Sequence, residues 1–194
     1  CHAKEIYGIE ISEKGSELAS KNGIKVLRQD IERDKIPLKD NYFDGIYAGE
    51  IIEHLFDTDF FLDEVFRVLK YNGIFVIDTP NLGSFYNRIA LLFGYLPFDM
   101  QVSLKYSLGH LVNTIYKVPE REIIRASDHI RFFTVNALHG LLENHGFSVI
   151  KIYGGSDNTS IKNSLLLPAI KIIDNSIGKI PTLSRIIIVE SIKK

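Results

Sequence analysis

Tryptophan is lacking from this 194-residue chain, and cysteine and methionine occur once each. A single cysteine, Cys1, excludes an internal disulfide framework and a cysteine-built zinc site, and it suits a reducing, cytoplasmic compartment. An excess of either charge is lacking as well: 23 Lys and Arg against 24 Asp and Glu leave a formal charge of −1, with no long run of one sign. Such a balance provides no basic stripe for nucleic acid and no broad cationic face for anionic lipid. No stretch reaches the roughly 20 apolar residues that cross a bilayer, and no signal peptide is visible. Internal repeats and low-complexity tracts are lacking too. What is present is a core: 45% of residues are hydrophobic and 11% aromatic, enough for one packed domain over residues 1–194.

Apolar runs and helical patterns alternate along the first two-thirds. "EIYGIEI" (5–11) and "IKVLRQD" (24–30) read as strands around a helix that Ser12 caps and Gly23 ends. "FDGIYAG" (43–49) is a third strand. Leu62, Val65, Phe66 and Leu69 repeat at helical spacing, with "YNG" as the stop. "GIFVIDT" is a fourth strand, residues 135–144 a helix ending near Gly146, and "FSVIKIY" and "RIIIVESI" the last two strands. Runs this apolar are buried on both faces, so the fold class expected is α/β, a doubly wound, mostly parallel sheet between helices. Segments 84–126 and 154–183 interrupt the alternation and read as inserts, on the substrate side or as helical padding at a sheet edge.

The stretch "GEIIEHL" raises the functional question. If a helix starts here, Glu50, Glu53 and His54 stand at i, i+3 and i+4 and share one face. Carboxylates in a first helical turn face its positive dipole end, which is a purely structural reason for them. The same residues would also make a general base, His54 oriented by Glu53, or a carboxylate–imidazole set for a divalent metal. Glu10 and Asp30 each close a strand. Each carboxylate there can cap the next turn or accept hydroxyls and an amine of a nucleoside. His110, His139 and His145 read as surface or packing residues, and Tyr86, Tyr95 and Tyr106 lie in the first insert.

Taken in order, "YGIEIS", "FDGIYAGEIIEHL", "LDEVFRVLKYNGIFVIDTPN" and "HIRFFTVNALHGLLENHGF" closely resemble the class I S-adenosylmethionine-dependent methyltransferases. The likeness is nearest to O-methyltransferases of the ubiquinone-pathway and glycan type, over roughly residues 5–153 and the terminal strand. It implies a Rossmann-like sheet with an antiparallel last strand and S-adenosylmethionine as cofactor. Glu10 would hold the donor's ribose, with Ile11 against adenine. Asp30 would meet the adenine amine beside Ile31, and backbone at Ala48, Gly49 and Glu50 would border the methionine part. His54, Glu53 and His129 would be the catalytic residues, with His129 reading equally as a strand-edge histidine that positions Arg131. Small-RNA 2′-O-methyltransferases carry a similar E-x-x-E-H and a later histidine, which would make Glu50, Glu53, His54 and His129 the ligands of a divalent metal.

The family's first strand and its G-x-G-x-G loop have no counterpart in these residues. In the family's sheet that strand lies between 5–11 and 43–49, so those two should stand two strand spacings of about 4.8 Å apart, unable to pair. The expectation is that native residues precede Cys1, and that methyl-donor binding belongs to the complete protein. The acceptor expected is a hydroxyl on a sugar or glycan precursor, with a quinone or other lipid-like phenol next. A non-catalytic methyltransferase-like binding module is the alternative.

Overall fold

The computed structural model describes residues 3–111, 129–155 and 176–194. Residues 112–126 and 156–175 of the two expected inserts fall outside the described residues. Two sheets form. In the first, β1 (Tyr7–Ile9) and β2 (Lys25–Leu27) pair in parallel, with α1 (Glu13–Lys21) crossing between them. Ser12 starts α1 as expected, its Oγ accepting the Gly15 amide at 3.0 Å. Both strands are shorter than the apolar runs that announced them. The chain turns early because Glu10 and Asp30 bond their own following amides, from Ser12 and Glu32.

The second sheet has the order β3-β4-β6-β5, from β3 (Phe43–Gly49), β4 (Leu69–Pro80), β5 (Phe147–Gly155) and β6 (Ile186–Lys193). β3 and β4 run parallel, whereas β6 is antiparallel to both β4 and β5. The antiparallel last strand is the one that the resemblance implied. Helix α2 (Thr58–Val68) supplies Phe61, Leu62 and Val65 to the core, and α4 (Val135–Asn144) supplies Leu138 and Leu142. They pack with Phe75, Ile77, Ile187 and Val189 of the central strands, all buried, which is where most of the hydrophobic stabilisation resides. Leu69, expected as the last apolar residue of the α2 stripe, instead opens β4, four residues ahead of the expected strand start. A shorter helix, α3 (Phe85–Leu92), follows β4. Among the described residues no helix is long and apolar enough to cross a membrane.

β1 and β3 do not meet. Among the described residues no backbone hydrogen bond joins them, and an apolar slot of about 510 Å³ lies between. It is bordered by consecutive residues, 5–9 on one side and 45–48 on the other. Alternate residues would mark sheet faces, so this consecutive lining marks two strand edges. Phe61, Val65 and Val68 of α2 form part of its lining. Tyr7 reaches across at one end, its hydroxyl 2.8 Å from that of Tyr42 and its ring against Phe43. The gap expected between these strands is therefore present, and they have not closed onto each other.

Polar ties hold the helices to the sheet. Arg67 donates twice to Glu64 (2.8 and 2.7 Å) and to the carbonyls of Ile36 and Leu38, fastening the loop before β3 to α2. Buried Lys193 donates to the carbonyls of Phe66 and Leu69 at the end of α2, groups that no further helical turn can satisfy. His145, at the C-cap of α4, lies 2.9 Å from both Asp59 and Asp63 of α2. Burial pushes its imidazole down, but the two carboxylates outweigh that and hold it above its ordinary value. A raised folded value means the clamp stabilises fully below about pH 6.5, the unfolded value, and fades as pH rises through the folded one. His145→Asn should therefore cost about 1 kcal/mol of unfolding free energy at pH 5.5 and little at pH 9, as read from urea titrations at both.

Candidate active site

The C-terminal ends of parallel strands β3 and β4 lie side by side, Gly49 opposite Asp78. Loops leaving such ends converge, which is why sites collect there in open α/β sheets. Glu50 leaves β3 with φ of 48°, a left-handed conformation uncommon for a residue with a side chain. Its amide donates to both the carbonyl (3.1 Å) and Oδ1 (3.2 Å) of Asp78, which holds it there. One 3-10 turn follows, Ile52–His54, where the sequence suggested a helix from Glu50.

That turn corrects the picture of three side chains on one helical face. Glu53 and His54 come together, but the left-handed Glu50 is turned out of the group and instead borders a small polar cleft with Asp99 and Arg185. Glu50 is therefore not among the metal ligands that the geometry assembles. The group is Glu53, His54 and His129, whose ligand atoms lie within 4.8 Å of one another.

Glu53 is the centre of this group. Its side chain is 2% exposed. Oε2 accepts the Thr79 hydroxyl at 2.9 Å, and the Glu53 carbonyl accepts the amides of Ile130 and Arg131, drawing residue 129 alongside. Oε1 is buried without a hydrogen-bond partner, 3.9 Å from His54 Nε2 and 4.0 Å from His129 Nε2. The two imidazole rings stand 4.7 Å apart at 60°. His54 is 39% exposed and His129 14%, so the group opens to solvent on the His54 side. Arg131 donates to the Phe56 carbonyl and stacks over that ring, which makes "HIRFF" a strap against the turn. A buried carboxylate oxygen aimed between two imidazoles can orient a base or ligate a cation.

Glu10 and Asp30 follow the same ends of paired strands β1 and β2. Each spends one oxygen on a local turn: Glu10 Oε1 on Ser12 N at 2.8 Å, Asp30 Oδ1 on Glu32 N at 3.1 Å. The structural role weighed for them is thus realised; it uses one acceptor of Glu10, while Asp30 Oδ2 also lies 3.7 Å from Arg33 Nε. Ile31 and Ala48 line the slot; Ile11 is exposed and does not. Two residues escaped sequence reading. Buried Thr79 supports Glu53, and Asp78 accepts the Tyr47 hydroxyl at 2.7 Å as well as Glu50 N. An acid inside the apolar run "FVIDT" was the available signal for the second.

A family model described as a methyltransferase domain matches residues 1–77, about two-fifths of the chain. A "Probable S-adenosylmethionine-dependent methyltransferase" of Mycolicibacterium smegmatis is 41% identical over 51 residues, 26% of this chain and 20% of its own length. The "Ubiquinone biosynthesis O-methyltransferase" of Pelagibacter ubique is 38% identical over 80 residues, 39% of this chain and 33% of its own. The chain thus spans between a fifth and a third of these curated relatives. Among solved structures, a SAM-dependent methyltransferase from Thermotoga maritima superposes over 97% of this chain and 73% of its own, with TM-score 0.60 and 19% identity. One from Mesorhizobium loti covers 98% and 81%, at TM-score 0.57 and 15% identity.

Thr79→Val should leave both Glu53 oxygens without a donor and cost about 1–3 kcal/mol, whereas Thr79→Ser keeps the hydroxyl and should cost less; urea unfolding compares them. From strand order to superposition, the fold is that of the S-adenosylmethionine-dependent methyltransferases.

Proposed function

We propose that this chain carries the catalytic part of an S-adenosylmethionine-dependent O-methyltransferase acting on a hydroxyl of a small molecule, a sugar or glycan precursor first and a quinone-like phenol second. The observation that carries the reading is Glu53 Oε1, buried and unpartnered between His54 and His129 at the strand ends of a methyltransferase fold. The residues present fit the donor. Two carboxylates follow the ends of the paired strands β1 and β2, where a nucleoside's hydroxyls and amine would meet them. Glu10 keeps one oxygen for the ribose, Asp30 Oδ2, 3.7 Å from the exposed Arg33 Nε, would meet the adenine amine, Ile31 and Ala48 offer apolar walls, and backbone at Gly49 and Glu50 would border the methionine part.

When bound, S-adenosylmethionine supplies an electrophilic methyl group on a cationic sulfur. The chain's share is to hold donor and acceptor in line and to take the hydroxyl proton. His54, the more open imidazole, receives that proton, and Glu53, 3.9 Å from its Nε2, stabilises the imidazolium that results. His129 orders the other side of the carboxylate. No residue needs to form a covalent bond with the substrate.

A second reading is favoured by the same geometry. Three ligand atoms within 4.8 Å could close around one divalent cation, which would lower the pKa of a bound hydroxyl. Exhaustive chelation separates the two: undiminished activity leaves His54 as a metal-free base, whereas lost activity restored by added Mg²⁺, Mn²⁺ or Zn²⁺ assigns the cluster to a metal.

Calorimetry with S-adenosylhomocysteine tests the function itself. Micromolar binding by the full-length protein, weakened about tenfold or more in Glu10→Ala, supports an enzyme. No binding at millimolar ligand sinks it and favours a non-catalytic module. His54→Ala should lower kcat by about 10²–10⁴ and leave the donor affinity unchanged.

A further inference from the structure

Two chain segments run side by side beyond the imidazoles. The Glu53 carbonyl accepts the amides of both Ile130 and Arg131, which sets His129 beside His54 and, two residues on, Arg131 beside Phe56. Leu55 is extended and buried, so His54 and Phe56 leave the chain on the same exposed face. Two extended residues span at most about 7 Å, so the Phe56–Arg131 pair stands within a small molecule's length of the proposed base.

Arg131 is held there and yet unpaired. Arg28, Arg33 and Arg67 each face a carboxylate, and Arg88 donates to the carbonyls of Gly83 and Thr182. Arg131 Nη2 donates to the Phe56 carbonyl, and the guanidinium carbon lies 5.5 Å from the centre of the Phe56 ring. One of five N–H donors is thereby used; among the described residues the other four meet no acceptor. Glu32 binds the Phe56 amide and forms no ion pair with Arg131. An arginine ordinarily gives up side-chain freedom when it takes a ligand, whereas here the ordering precedes the ligand. Fastening the strap needs the one bond and the ring. It does not need a charge with four open donors, and those suit the two oxygens of a carboxylate or a phosphate.

We propose that Arg131, laid over Phe56, is the oxyanion-binding half of the acceptor site, and that the acceptor is an acid bearing a carboxylate or a phosphate close to the hydroxyl presented to His54. This deepens the methyltransferase reading and rests on it. A neutral acceptor of the same shape, a plain sugar or an uncharged phenol, would leave the guanidinium unpaired and bind less well.

Inorganic phosphate and acetate, each titrated into full-length protein at constant ionic strength, test the site. The backbone amide resonance of residue 56 should shift along a saturating curve. The anion that saturates it at lower concentration names phosphate or carboxylate as the group recognised. Arg131→Gln should weaken that saturation by about tenfold or more. Phe56→Leu keeps the guanidinium but removes its platform, and should weaken it by about 2- to 5-fold. S-adenosylhomocysteine should bind wild type and both variants equally, with or without the anion, which also shows the variants folded. A shift that stays linear with concentration, or that Arg131→Gln leaves unchanged, overturns the inference and leaves the enzyme intact. Anion that displaces S-adenosylhomocysteine assigns Arg131 to the donor's own carboxylate and overturns it too. Saturation in a protein that binds no S-adenosylhomocysteine removes the enzyme reading and, with it, the acceptor.

Discussion

The pairing of β4 on both of its edges is the constraint from which the rest of the molecule follows. Its parallel bonds to β3 bring two strand ends to one level, and its antiparallel bonds to β6 fix that level against the terminal strand. A strand bonded on both sides cannot slip without exchanging every side chain between core and solvent. The last residues of β4 and the loop after it therefore make a rigid base. Asp78 holds Tyr47 and Glu50, Thr79 holds Glu53, and Asn81 binds the carbonyls of Pro181 and Ser184 ahead of β6. Leu82 N takes the Phe133 carbonyl, which places the strap that carries His129. Tyr47, Glu50 and Glu53 are thus each one hydrogen bond from a single stretch of chain.

Three buried acids show what separates structure from chemistry here. Glu64 has a guanidinium on both oxygens and a backbone amide besides; Arg67, chiefly, holds its carboxyl below the usual value. Asp78 has a phenol on one oxygen and an amide on the other. Glu53 has a donor on Oε2 alone. Leaving a buried carboxylate oxygen unsatisfied costs about 1–3 kcal/mol, a large share of the roughly 5–15 kcal/mol that hold a domain together. A purely structural acid would be satisfied, as Glu64 is. The orphan oxygen faces two imidazoles that can each carry a proton, which is the arrangement an acid–base site or a cation needs and a fold does not.

The sequence disclosed the order of elements far better than their ends. The strands themselves were legible because buried runs such as "GIFVID" and "RIIIVE" carry a strong signal, whereas the antiparallel β6 and the gap beside β3 were implied by the family resemblance. Strand lengths were not, since Glu10 and Asp30 end their strands by local side-chain bonds that periodicity does not register. Spacing alone also put Glu50 with Glu53 and His54. Nothing in "GEIIEHL" says that residue 50 will be left-handed, because that conformation is imposed by Asp78, 28 positions away. His129 was foreseeable only through resemblance. Its approach depends on two main-chain bonds to the Glu53 carbonyl, and main-chain bonds between loops leave no trace in residue types.

Asp78 also ties together events on the two sides of the strand end. A left-handed residue with a side chain costs about 1 kcal/mol or more, and at Glu50 two bonds from one aspartate offset that cost. The same carboxylate holds the Tyr47 ring on the slot side. If Tyr47 turned away, Oδ2 would lose its donor, and the whole carboxylate charge would fall on the remaining bond to Glu50 N. That bond would strengthen and fix Glu50 more firmly beside the cleft with Asp99 and Arg185. The slot side and the cleft side of the strand end are therefore not independent surfaces that happen to adjoin. They share one acceptor group, and a change at either is felt at the other through a path two hydrogen bonds long.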